Sequence, residues 1–136
     1  MYKPLYDAKA SALFFADGET SSKNLPIGKI NVFVCGALQN PDKMHSLIGR
    51  SAAFAPAAVS GFRRVTKAVA GKLVPFMVPS KSDHAKILTG VVWLDLTDKE
   101  LTKIESLELD GDLRKRIRLN VRAGERRVEA YTYIKK

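Results

Sequence analysis

Cysteine is nearly absent from this 136-residue chain: Cys35 is the one copy, so no disulfide can form within it and nothing argues for an oxidising compartment. No apolar run approaches the roughly 18 to 20 residues that a membrane-spanning helix needs. The amino terminus, MYKPLYDAKASALFFADGETSS, shows no basic region followed by an apolar one. It carries Asp7, Asp17 and Glu19, acids that a transit peptide usually lacks. A cytoplasmic-type protein is the expectation, with an organelle left open, and no membrane partner is expected. Histidine is scarce too. His45 and His84 lie far apart without other ligands nearby, so no metal is expected, and no motif calls for a cofactor.

Acidic residues are outnumbered, 14 against 23 Lys and Arg, for a net charge of +9. The excess is concentrated at one end. Residues 111–136 hold nine Lys or Arg and three acids, which is six of the nine net charges. Such a patch suits nucleic acid or an acidic protein partner, and it equally suits a solvated surface. With 46% hydrophobic and 27% charged residues, the chain has the composition of one globular domain able to bury a core.

Residues 1–29 read as an extension, rich in turn formers around GETSSKNLPIGK, with the apolar stretch Ala10–Phe15 inside it. The domain proper is expected over 30–136. Ile30 to Val34 is β-branched and aromatic and predicts a buried strand. Asn40 and Pro41 predict a helix from Pro41 to Ile48, with the asparagine as cap. Glycine and proline punctuate residues 49–79 in a way that suits barrel strands. Ala85 to Leu96 predicts a strand in which Gly90 marks a bend or bulge. Thr97-Asp98-Lys99-Glu100 is a capping box opening a helix, with Leu101, Ile104 and Leu107 as its apolar stripe and Glu108 beside them. Trp93 reads as core.

In RKRIRLNV, Ile117, Leu119 and Val121 alternate with Arg116, Arg118 and Asn120. A turn at Ala123-Gly124-Glu125 then sends Val128, Ala130, Thr132 and Ile134 back in register. This is a hairpin with one apolar and one basic face. The fold class is α+β, rich in strands.

The segments FVCGALQNP, LIGRSAAFAPAAVSGFRRV, VPFMVPS, LTGVVWLDLTDKELTKIESLE, RIRLNV and EAYTYI stand in the order of gamma-glutamyl cyclotransferase-like domains, and residues 30–134 resemble that family. The resemblance implies a small, mostly antiparallel β-barrel with flanking helices. It also implies a chemistry: the α-amino group of a γ-glutamyl amine or peptide attacks its own side-chain carbonyl, giving 5-oxoproline and a free amine. By resemblance, Cys35, Gly36, Ala37 and Leu38 form the loop that binds this small substrate, and Glu108 is the general base. Glu105 takes the place of the family's aspartate.

Departures are equally visible. Cys35 replaces the loop tyrosine, Ala37 a threonine and Leu109 the glycine after the base. The tyrosine a few residues further on has Leu113 as its nearest counterpart. A second reading arises from these losses: a non-catalytic module whose arginines Arg114, Arg116, Arg118, Arg122, Arg126 and Arg127 bind RNA or a larger assembly. On residue types alone, Glu108 also suits a surface acid and Cys35 a small core residue. If Cys35 lines the pocket, a thiol reagent labels the native protein. Labelling that appears only after denaturation places it in the core.

Overall fold

The computed structural model describes residues 30–80 and 87–136. Ala10–Phe15, the extension as a whole, His84 and the first two residues of the predicted Ala85–Leu96 strand lie outside these residues. Seven strands are present: β1 (Ile30–Val34), β2 (Phe54–Ser60), β3 (Phe62–Val69), β4 (Lys72–Pro79), β5 (Ile87–Leu96), β6 (Arg114–Ala123) and β7 (Arg126–Lys135). Two helices, α1 (Pro41–Ile48) and α2 (Asp98–Glu108), flank them.

Five strands close into a barrel in the order β1-β5-β2-β6-β7. The neighbours are antiparallel except β1 and β7, which meet in parallel at Val32 and Tyr131. The alternation in β6 and β7 sets their register. Ile117 pairs with Thr132, Leu119 with Ala130 and Val121 with Val128, all turned toward the core, while Arg116 and Arg118 pair with Tyr133 and Tyr131. The core divides around the barrel wall. One cluster fills the interior with Phe33, Val92, Leu94, Val121 and Ala130. The other packs Trp93, Phe54, Leu96 and Tyr133 against Met44, Ile48, Leu101 and Ile104 of the two helices.

Both helices begin as their sequences dictate. The Asn40 side chain accepts from the Asp42 N–H at 2.8 Å, with Pro41 as the first helical residue. Thr97 and Glu100 form a complete capping box, each accepting from the other's backbone N–H. Glu100 has a second task. It is buried and receives two guanidinium nitrogens of Arg50, which ties the end of α1 to the start of α2. The Arg50 cation holds the Glu100 carboxyl below its ordinary range.

Three expectations need correction. Residues 49–79 do not all supply barrel strands: β3 and β4 form a separate two-stranded hairpin, closed by Ala70 and Gly71 with φ of 50° and 79°. Leu107 is half exposed, because the α2 stripe leaves the core after Ile104. Gly90 is not a bulge. It pairs regularly with Ala57, whereas the irregularity in β5 lies at Asp95, whose φ is 56° and whose N–H donates to the buried Asn31 side chain. Gly90 is required by close approach instead. A Cβ there would overlap the Val34 carbonyl oxygen and stand 2.8 Å from the Phe33 ring.

Gly90→Ala is therefore expected to destabilise the protein by about 1 to 3 kcal/mol, as overpacked cores do, through a lower urea midpoint. An unchanged midpoint would show that β1 can shift freely.

Candidate functional site

Strand β1 ends at Val34 in the barrel wall, and the chain turns through Cys35 and Gly36 into a 3-10 turn over Ala37–Gln39. The buried Trp93 holds this turn from inside, its indole N–H donating to the Leu38 carbonyl at 3.0 Å. Beside it lies a cavity of ≈ 250 Å³, walled by Cys35, Gly36 and Ala37 on one side and by Val74 and Pro75 of the β4 hairpin on another. Glu108, Arg114 and Tyr133 also line it.

Of the predicted loop residues, Cys35, Gly36 and Ala37 reach the cavity. Leu38 does not: its side chain is core, and its place in the loop is structural. Gly36 is forced neither by its negative φ of −122° nor by packing, since a Cβ there would meet nothing within 4 Å among the described residues. The space it leaves belongs to the cavity.

Glu108 is the last residue of α2. Burial pushes its carboxyl above the ordinary range, and the nearby Arg114 cation offsets part of that rise. A helix carboxyl end is itself an unfavourable place for negative charge. Glu105 has a different occupation. It accepts from the Tyr133 hydroxyl at 2.9 Å and from Arg116 at 3.0 Å, which commits it to holding β6 and β7 against α2. Burial raises the Cys35 thiol, while the positive charge of Arg64 pulls it part of the way back.

Leu113, the counterpart of the family tyrosine, does not line the cavity; its neighbour Arg114 does. The Arg114 guanidinium lies 4.5 Å from the Phe76 ring centroid, donates to the Pro75 carbonyl at 2.8 Å and reaches the Glu108 carbonyl at 3.4 Å. The turn needs no glycine at Leu109, whose φ is −93°, because Gly111 supplies the positive φ two residues later. Tyr133 is a polar lining residue that escapes the sequence reading. A signal for Tyr133 exists, since it lies opposite Arg116 in the hairpin register.

The six arginines do not share one face. Arg114 belongs to the cavity, and Arg126 pairs with the buried Ala123 on the inward side. Arg116 and Arg118 both lie over the Tyr131 ring, at 4.5 and 5.4 Å. Arg122 and Arg127 are directly opposite one another, both exposed to solvent. Among the described residues no cluster of His, Cys, Asp and Glu could hold a metal ion, and no helix is long and apolar enough to cross a membrane.

A small closed five-stranded barrel flanked by two helices is the architecture of a cyclotransferase-like domain. The chain belongs to the family described as "Gamma-glutamyl cyclotransferase, AIG2-like", whose model matches residues 32–136. It is 32% identical over 112 residues to AIG2-like protein B of Arabidopsis thaliana, covering 78% of this chain and 60% of that protein. A solution structure of an Arabidopsis thaliana protein aligns with a TM-score of 0.65 at 26% identity, covering 79% of this chain and 62% of that one. A solved gamma-glutamyl cyclotransferase aligns with a TM-score of 0.66 at 17% identity, covering 79% and 67%, a likeness of fold. The chain thus spans about three fifths of the length of the curated relative it matches.

A carboxyl raised by burial stabilises the fold in its protonated form, and that contribution is lost as pH rises through the folded-state value. Glu108→Gln is accordingly expected to raise Tm at neutral pH, with the gain shrinking toward about pH 4, where an ordinary Glu carboxyl is largely protonated. Thermal scans across pH test this. A lower Tm at pH 7 would mean that Glu108 is held by favourable contacts.

Proposed function

We propose that the cavity binds a γ-glutamyl group and that the protein is a cyclotransferase, converting a γ-glutamyl amine or peptide to 5-oxoproline and free amine. The observation that carries this reading is the meeting of Glu108 with the Cys35-Gly36-Ala37 turn across one cavity, although the two lie more than seventy residues apart in sequence. Membership in the cyclotransferase family supports it further.

The roles come from chemistry. Backbone N–H groups at the Gly36 turn receive the substrate's α-carboxylate, and the bare glycine lets it approach the main chain. This places the α-ammonium toward Glu108. Glu108 takes a proton, and the freed amine attacks the γ-carbonyl carbon. The new C–N bond closes the five-membered ring. When the tetrahedral carbon collapses, the carbonyl re-forms, the original amide C–N bond breaks and the proton held by Glu108 passes to the departing amine; the freed Glu108 carboxylate then relays the surplus proton of the ring nitrogen to the same amine, which leaves as an ammonium. No water is consumed. A base works best with a value near the working pH, so its elevation by burial favours the task. Holding amine and carbonyl in one bent chain supplies an effective concentration of about 10⁵ M or more in favourable cases.

An anionic partner for the basic hairpin has one observation in its favour: Arg122 and Arg127 face one another at the surface with no ion pair to either among the described residues. Salt-dependent RNA binding lost in an Arg122/Arg127 double alanine variant would support that role alongside catalysis.

Release of 5-oxoproline from γ-glutamyl amines and peptides is the direct test. Turnover is expected in the native protein and is expected to fall by about 10² or more in Glu108→Gln, the usual scale for losing a general base. The acid limb of kcat/KM should lie above the ordinary glutamate value of 4.5. A well-folded protein with no turnover on any such compound would overturn the reading.

A further inference from the structure

We propose that the hollow where β2 and β6 part holds the carboxyl terminus of an extended peptide, with Arg122 and Arg127 on the terminal carboxylate and an apolar last side chain against Ile87. The site lies toward the opposite end of β6 from the cavity. Arg122 is eight residues along that strand from Arg114, about 26 Å at the rise of a strand. The inference therefore stands apart from the cyclotransferase reading, and it gives the anionic partner of the basic hairpin a definite chemistry.

The hollow begins where a ladder stops. β2 and β6 share one registered pair, Ala58 with Arg122. The antiparallel register would next set Ser60 opposite Asn120, but no pair forms there. Instead a hollow of ≈ 290 Å³ is lined by residues of both strands, with Val59 and Val121 lining it from the core side. On their other sides β2 is paired with β5 and β6 with β7, so each strand offers one edge at this point. An extended chain can continue such an edge, as a peptide does when it adds to a sheet.

Charge decides what the hollow takes. Arg122 and Arg127 are paired directly across the hairpin, and both line it. Like charges so placed weaken a strand pair. Among the described residues neither makes an ion pair, and Glu129, opposite Asn120, is paired with Arg118 at 3.9 Å instead. A carboxylate offers one oxygen to each guanidinium, which satisfies both and cancels their repulsion. The remaining wall suits an apolar residue: Ile87, opposite Ser60, is 63% exposed and lines the hollow with Ala58. Nucleic acid is the poorer match. Single strands stack their bases on aromatic rings, and among the described residues no aromatic side chain lines the hollow. Tyr131 of the same hairpin already carries Arg116 and Arg118 over its ring.

The experiment titrates acetylated tetrapeptides ending in alanine, valine, leucine or phenylalanine into the full chain by calorimetry, each as free acid and as carboxamide. At least one free acid should bind about tenfold or more tighter than its carboxamide, the scale of one charge-assisted hydrogen bond. That comparison uses the native protein and needs no variant. The Arg122→Gln/Arg127→Gln double variant, altered at two exposed positions, should keep its Tm and lose the preference for the acid. Ile87→Ser should weaken the leucine-ended acid more than the alanine-ended one. No binding by any free acid, equal binding of acid and carboxamide, a preference that survives in the double variant, or an Ile87→Ser variant indifferent to the last residue each overturns the proposal. Binding of single-stranded poly-uridine that the double variant loses, with no peptide bound, assigns the two arginines to nucleic acid and overturns it as well.

Discussion

The hydrogen bond from the Trp93 indole to the Leu38 carbonyl is the constraint on which the site depends. A loop leaving a barrel has many ways to run, and a carbonyl within it must find a donor once it is buried. Trp93 supplies that donor from β5, where its ring is enclosed and lies 4.4 Å, centroid to centroid, from Phe54 on the neighbouring strand. The Leu38 side chain then fills the space between barrel and helices. With its carbonyl and side chain both committed inward, the preceding Gly36 is left facing the cavity. The rigidity of the loop is borrowed from the core.

Placement of the acid obeys a different logic. Helix α2 is fixed at its start, by the capping box and by Arg50, and its core-facing stripe stops at Ile104. Beyond that stripe stand Leu107 and Glu108, at the rim of the cavity. The helix is held firmly at one end so that a partly desolvated carboxylate can be held at the other. Burial disfavours the charged form of Glu108, a local cost to the fold.

Much of this is legible in the sequence because local rules decide it. The bounds of β1 and α1, the capping box and the hairpin register each depend on residues within a few positions of one another, and each appears as expected. Gly90 stands out in the sequence too, but for the wrong reason. Its constraint comes from the Val34 carbonyl and the Phe33 ring on a strand more than fifty residues away. The same limit applies at the site. Alternation alone puts Arg114 on the basic face, and nothing nearby in sequence reveals that Phe76 and Pro75 draw it inward. The position of Glu108 is legible through family resemblance, whereas its raised pKa depends on burial, which only the assembled fold provides.

The barrel is joined unevenly. The β1-β5-β2 ladders and the β6-β7 ladder are long, but β2 meets β6 at a single registered pair, Ala58 with Arg122, and β1 meets β7 at one, Val32 with Tyr131. By hydrogen-bonded ladders the described residues thus fall into three pieces, counting the β3-β4 hairpin, joined at few registered pairs. The cavity draws on all three, with Cys35 and Gly36 from one, Arg114 and Tyr133 from another and Val74 from the third. Separation along a seam would take the cavity apart while leaving the ladders within each piece intact, and anything bound there would hold the three pieces together.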